Sequence, residues 1–411
     1  MKIRLHTVIL IVSLLSNWII SIAHTAELKI EKTLTQIDGL ASNTVLAVFE
    51  DSHGTMWFGT TDGLTRYDGK DFRTFTTEDG LAHNTIGLIF EDQHGMLWFG
   101  DGVISSILER EKTLDMTWME TPLSELDITP YDETPAETIT PIRLKGVNRY
   151  DGHTFRTFTT VDGLAYDVVK DIVEDETGTL WFATSLGVSQ YDGEKFENLT
   201  MNGPMGMNVL PNAWNGIASI AQDTAGNFWF GSDAGISYYN IQTSSFRYLA
   251  VDPNFTPFQE MGKSRTAHIT DLQFDAKENL WMSRDGTSEE SSGIRRYDGK
   301  KLTIFPQNEE LPMNSVNNIM QDSSGNLWFT GVKKLPSKLN ETEDSISRIF
   351  PEVESGVSVY NGETFQNFDT NDGLPSNRIW SVFEDSSGKL WFATDAGVAV
   401  GVYLPSQSSG N

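Results

Sequence analysis

The chain of 411 residues is 38% hydrophobic and 11% aromatic, which suits a globular β protein and excludes general disorder. Thirty basic against fifty-seven acidic residues give a formal charge of −27. That charge repels nucleic acid phosphates and anionic lipid headgroups, leaving cations, neutral ligands or basic protein surfaces as partners. There is no cysteine, so disulfides and thiolate metal sites are excluded.

The N-terminus has the pattern of an export signal. Lys2 and Arg4 form a basic start, Val8 to Ile20 is largely apolar, and Ser21-Ile22-Ala23 offers a small-x-small cleavage site. Residues 1–26 are therefore expected to be a signal peptide cut after residue 23 or 26, placing the protein in the periplasm or outside the cell. Asn17 interrupts the apolar stretch, which is also short for an uncleaved anchor. No later segment approaches a transmembrane span, so no membrane span is expected in the mature chain.

From Glu27 onward one sentence recurs. Trp57, Trp98, Trp181, Trp229, Trp281, Trp328 and Trp391 sit in MWFG, LWFG, LWFA, FWFG, LWMS, LWFT and LWFA. Six residues before each stands an aspartate, from Asp51 to Asp385, and two residues after each a small residue, from Gly59 to Ala393. Twelve residues before each stands Val or Ile, as expected for an inner strand covered on both faces. In the first unit the spacing predicts strands over Val45–Phe49, Met56–Thr60, Leu64–Tyr67 and Phe72–Thr76, separated by Gly and Asp turns. Repeats recurring at roughly 40 to 50 residues form solenoids or propellers. The seventh unit ends at Val402 without a fourth strand, whereas Glu27–Gln36 precedes the first unit and fills that place. The expected fold is all-β: a seven-bladed propeller of four-stranded antiparallel blades over 27–403, closed by the N-terminal strand, with a tail at 404–411. The seven tryptophans are structural, because a residue needed once for chemistry has no reason to appear in every unit.

The combination DGL-x-x-N, D-x-x-G-x-L-W-F-G-T and G-[LVI]-x-x-Y-D-G resembles the two-component regulator propeller repeat. That resemblance covers nearly the whole chain after residue 27. It is clearest in units one, three and seven, and looser in four, five and six, where DGL is missing. It implies the periplasmic sensor region of hybrid histidine kinases, or a related standalone exported propeller. Family members usually continue into further domains and a kinase; this chain ends at Asn411, so the resemblance implies the sensor fold without kinase activity.

Function is expected where units depart from the repeat. Insertions fall at 101–145, 284–292 and 331–355, between the second and third strands of units two, five and six. Long connections precede units four (Met201–Asn212), five (Val251–Arg265) and six (Pro306–Pro312). All of these leave one face of the disc. The first insert is acidic and proline-rich, which fits either a loose flap or a lid whose Trp118 packs over the channel mouth or a partner. His83, Tyr166 and Trp214, on consecutive units at that mouth, could stack on a sugar or aromatic ligand. His268, Arg284 and Arg378 complete the candidate ligand-binding set.

No catalytic residue or metal site is expected, because no nucleophile elbow, phosphate loop or histidine cluster with ligand spacing appears. Aspartates converging on the same face offer oxygens to calcium, but repeated Asp-Gly turns account for them equally, and no cofactor is expected. The function read from the sequence is an exported ligand- or protein-binding sensor module, its ligand a small molecule such as an oligosaccharide or a protein partner. Two alternatives stand beside it. GNLWFT at Gly325–Thr330 is similar to repeats of streptogramin-lyase-like propeller enzymes, with His83 and His268 as the acting histidines, although DGL and RYDG are foreign to that family. The other alternative is a purely structural interaction scaffold.

Overall fold

The computed structural model describes residues 26–102, 146–199, 216–232, 235–249, 268–285, 293–305, 311–313, 315–332 and 355–405. These residues form seven four-stranded antiparallel sheets, each a blade. The inner strands, Val45–Glu50, Leu88–Glu91, Val169–Glu174, Ile217–Gln222, His268–Phe274, Ser315–Gln321 and Ile379–Glu384, contact one another in sequence around the axis. The last of them also contacts the first, so the ring is closed. In the seventh blade Glu27–Leu34 pairs antiparallel with Gly397–Leu404, from Leu28 opposite Tyr403 to Leu34 opposite Val398. First and last strands thus share one sheet, as the missing fourth strand had predicted.

The aspartate six residues before each tryptophan has two tasks. In the first blade Asp51 Oδ1 accepts the amides of His53 and Thr55, holding the hairpin turn, while Oδ2 accepts the Trp57 indole N–H. The indole bond recurs in all seven blades, at 2.7–3.1 Å. A buried indole needs an acceptor, and here the turn supplies it. Tyrosine of Y-D-G closes the outer hairpin similarly: the hydroxyls of Tyr67, Tyr150, Tyr191, Tyr297 and Tyr360 donate to the carbonyl of the turn glycine two residues on, at 2.7–2.8 Å.

The core lies between blades. Trp57, Leu64 and Phe75 of blade one pack with Ile86, Leu97, Phe99 and Tyr150 of blade two. Gly59 shows why a small residue follows the tryptophan: a Cβ there would meet the Ile86 carbonyl oxygen at 2.4 Å. Where DGL is present it closes the outer strand in a capped turn. Thr76 accepts the Glu78 amide, Asp79 accepts the Thr76 amide, and Gly80 ends the turn at φ 108°. The Asn or Asp three residues after the leucine of DGL caps the same turn in four places: Asn43, Asn84, Asp167 and Asn377 accept the amides of Gln36, Thr77, Thr160 and Thr370 at 2.7–2.9 Å.

Blade two departs from the others. Its inner strand begins at Leu88, not at Ile86, the position aligned with the start of neighbouring inner strands. Gly87 is pressed against the stem of the first insert, where a Cβ would stand 2.2 Å from the Asp101 carbonyl oxygen. No helix among the described residues is long and apolar enough to cross a membrane.

Candidate functional site

The two faces of the disc differ. Every connection between first and second strands is a tight turn: 51–55, 92–96, 175–179, 223–227, 275–279, 322–326 and 385–389. The third-to-fourth connections, such as 68–71 and 298–301, are as short. Strands alternate in direction, so all of these lie on one face. The opposite face receives the intervals 101–146, 286–292 and 333–356, and the long connections 200–216, 250–267 and 306–314.

Four of the seven sequence-predicted ligand residues have describable side chains. His83 Nε2 lies 3.1 Å from Asp101 Oδ1, with the two side chains 16% and 9% exposed. Blade two's mouth histidine is therefore held by a carboxylate at the foot of the first insert. Tyr166 is half-buried on blade three. Arg378 is half-buried, with its guanidinium 5.6 Å from the Trp380 ring centroid, a cation–π contact. Arg284, expected at the start of a loop, instead lies within the strand Leu280–Asp285, opposite Ile269 and Gly293, and is buried. Its strand continues further than the repeat because His268–Phe274 also starts early and pairs with it to Asp285. His268 opens that inner strand. Trp118 and Trp214 lie outside the described residues. Among the described residues, no group of three His, Cys, Asp or Glu could hold a metal ion.

A second polar locus was not singled out from the sequence. In every blade but the second, the inner strand carries a bulge between the residues twelve and ten before the tryptophan, as between Val169 and Asp171 or Ile269 and Asp271. The residues ten before each tryptophan are Ala47, Leu88, Asp171, Ser219, Asp271, Asn318 and Ser381. Four of them tie their blade to the next through its backbone. Asp171 accepts the Ile220 amide at 2.8 Å, Ser219 the Leu272 amide at 3.2 Å, Asp271 the Ile319 amide at 2.7 Å and Asn318 the Val382 amide at 3.2 Å. The belt runs from blade three to blade seven.

Two carboxyls in this belt are desolvated. Burial raises Asp171 to about 6, against the opposing amides of Ile220 and Ile172 and the Ser219 hydroxyl. Burial, and then the charge of Asp171, raises Asp271 to about 7. Both keep some accessible surface, yet their surroundings are protein from neighbouring blades, so hydration is poor.

The repeat decides the kinship. Residues 39–62, 310–333 and 373–396 match the family model described as two component regulator propeller. The repeats in these three stretches are two component regulator propeller repeats. A stretch of 42 residues is 43% identical to histidine kinase P4 of Formosa agariphila, covering 10% of this chain and 3% of that protein. The extracellular domain of BT4673 from B. thetaiotaomicron, described as a one component or hybrid two component system, matches with TM-score 0.57. Its two structures are 17% and 16% identical, over 90% of this chain and 39% of theirs. Streptogramin B lyase matches with TM-score 0.54 at 10% identity, over 92% of this chain and 97% of that one. At such identities both likenesses establish a shared propeller fold. The chain spans about two fifths of the BT4673 domain's length.

Proposed function

We propose that this regulator propeller is an exported recognition module, acting outside the cytoplasm as the sensing part of two-component-type signalling. The observation that carries this reading is the asymmetry of the disc. Seven short hairpin turns hold one face to a common form, while every long connection leaves the other. Variable connections on a rigid scaffold are where recognition is built. The signalling context is drawn from relatives, among them a histidine kinase and extracellular domains of signalling systems.

The ligand on this reading is a neutral oligosaccharide or a protein surface meeting the mouth beside Tyr166, His83 and Arg378. Aromatic and guanidinium planes stack on sugar rings, and an acidic molecule disfavours anionic ligands.

An oligosaccharide array probed with the labelled protein tests the reading. Binding that weakens at least tenfold in Tyr166→Ala and Arg378→Ala supports it. Binding that is indifferent to both variants places recognition elsewhere.

A further inference from the structure

In the outer strands of blades one and two an arginine stands directly opposite an arginine. Arg66 faces Arg73, and Arg149 faces Arg156. No other blade sets two like charges at this register position; blade five, for instance, has Arg296 opposite Thr303. Side chains so placed share one face of the sheet with Cβ atoms about 4.5–5.5 Å apart, where like charges destabilise. Among the described residues none of these four arginines stands in an ion pair. Asp68 and Asp151, in the turns between the paired strands, are taken up by backbone amides. The guanidiniums rest on aromatic rings instead. Arg73 lies 4.5 Å from the Phe75 centroid, Arg156 4.4 Å from that of Phe158, and Arg149 5.8 Å from that of Trp98. A ring covers the flat side of a guanidinium and leaves its fork of N–H donors at the edge.

Both pairs are presented alike. Trp57, Arg66 and Arg73 form a row across blade one, and Trp98, Arg149 and Arg156 the same row across blade two. Trp57 packs against blade two and Trp98 against blade three. Each arginine pair therefore opens into the outer cleft beside the next blade, where Phe155 and Phe196 are half-buried. Arg73 and Arg156 are exposed, and Arg66 and Arg149 half-buried.

We propose that the outer rim of blades one and two is a second binding site, separate from the mouth, for an acidic polysaccharide. A carboxylate or sulfate group sits between the paired arginines of each blade, accepting from both and removing their repulsion. Sugar rings between successive charges lie against Phe155 and Phe196. Two equal sites one blade apart favour a polymer over a single acid, because the second site engages at high effective concentration. The net charge of −27 does not oppose this at close range. At physiological salt, charges more than about 8 Å away are largely screened. The strands Leu64–Tyr67, Phe72–Phe75, Val147–Tyr150 and Phe155–Phe158 carry the four arginines and no acid.

Calorimetry of the purified protein with polygalacturonate, dextran sulfate, neutral dextran and polyglutamate tests the site. At least one of the two acidic glycans should bind, and which one does identifies the charged group. Neutral dextran and polyglutamate should bind at least tenfold more weakly. The double variant Arg73→Thr, Arg156→Thr copies the Arg296–Thr303 pair that blade five already holds, so the fold should survive. Its affinity for the glycan should fall at least tenfold, with melting unchanged. Three results would overturn the proposal: neither acidic glycan binds, polyglutamate binds as tightly, or the folded double variant keeps full affinity. The comparison of polymers on wild type decides the matter even if the variant folds poorly.

Discussion

Glu50 of the first blade holds Ser386 of the last, accepting its amide at 2.5 Å and its hydroxyl at 2.9 Å. The same clamp joins Glu91 to Ser52 and Glu384 to Ser323, so the first and last blades meet as blades one and two, and six and seven, do. Residues 336 apart in sequence thereby close the hairpin face, while Glu27–Leu34 closes the sheet. Loss of the clamp alone, in Glu50→Ala, should destabilise by about 1 kcal/mol, since the bonds are charge-assisted but part-exposed. Removal of 27–34 should unfold the ring, because it strips one edge of the seventh blade. Urea denaturation of both variants measures the contrast.

The clamp has a substitute in blade five. Phe274 occupies the strand-end position filled by glutamate or glutamine in the other blades, and Glu278, at φ 63°, replaces the turn glycine. Its carboxylate accepts the Thr224 hydroxyl of blade four at 2.9 Å. Glu278→Ala should cost about 1 kcal/mol, losing the bond while retaining an unfavourable positive φ. Glu278→Gly should stay within about 0.5 kcal/mol of wild type, because relief of that backbone offsets the lost bond. Thermal melts of the pair distinguish the two terms.

Asp322 is buried beneath Trp328 and bonds its indole at 2.8 Å while capping the amides of Ser324 and Asn326. Asp322→Ala leaves a buried indole N–H and two turn amides without their acceptor, and should cost about 2–4 kcal/mol. Asp62→Ala, on an exposed loop of the opposite face, should lie within about 0.5 kcal/mol of wild type. Equal losses at both sites in chemical denaturation would contradict the role assigned to the turn aspartate.

The turn aspartates also set an acid limit. At Asp385 burial acts to raise the carboxyl, but the Ser387 hydroxyl, the Trp391 indole and the amides of Lys389 and Ser387 outweigh it and hold it below the ordinary range. A carboxyl lowered by folding stabilises above about 4, and that contribution fades as pH falls through its folded value. Asp385→Asn should therefore be less stable than wild type at pH 7, with the gap narrowed at pH 3. Melting curves at both pH values check this, in the opposite sense to the belt acids.

Sequence periodicity revealed the ring because its signals are local. The aspartate at Trp minus six, the small residue at plus two and the DGL turn each serve a contact made within one blade or with its neighbour. The same locality hid the belt. At the bulge the strict in-and-out alternation breaks, so counting by twos from Val169 or Ile269 does not reveal which way Asp171 or Asp271 points. The row Ala, Leu, Asp, Ser, Asp, Asn, Ser also lacks a shared chemistry that would mark it as a column. Arg284 was misplaced for a related reason: pairing beyond the repeat, from His268 to Asp285, cannot be seen from one strand alone.

The central claim is recognition through the built-up face, and deletion of Ser105 to Thr140 tests it most directly. The described residues on either side, Asp101 and Gly146, belong to blade two, and Asp101 is held against His83, so a short Gly-Ser bridge should leave the blade closed. Affinity for an oligosaccharide selected on the array, measured by calorimetry beside the melting temperature, gives the answer. The account predicts at least a tenfold loss of affinity with melting unchanged. Unchanged affinity in the well-folded deletion variant would contradict it.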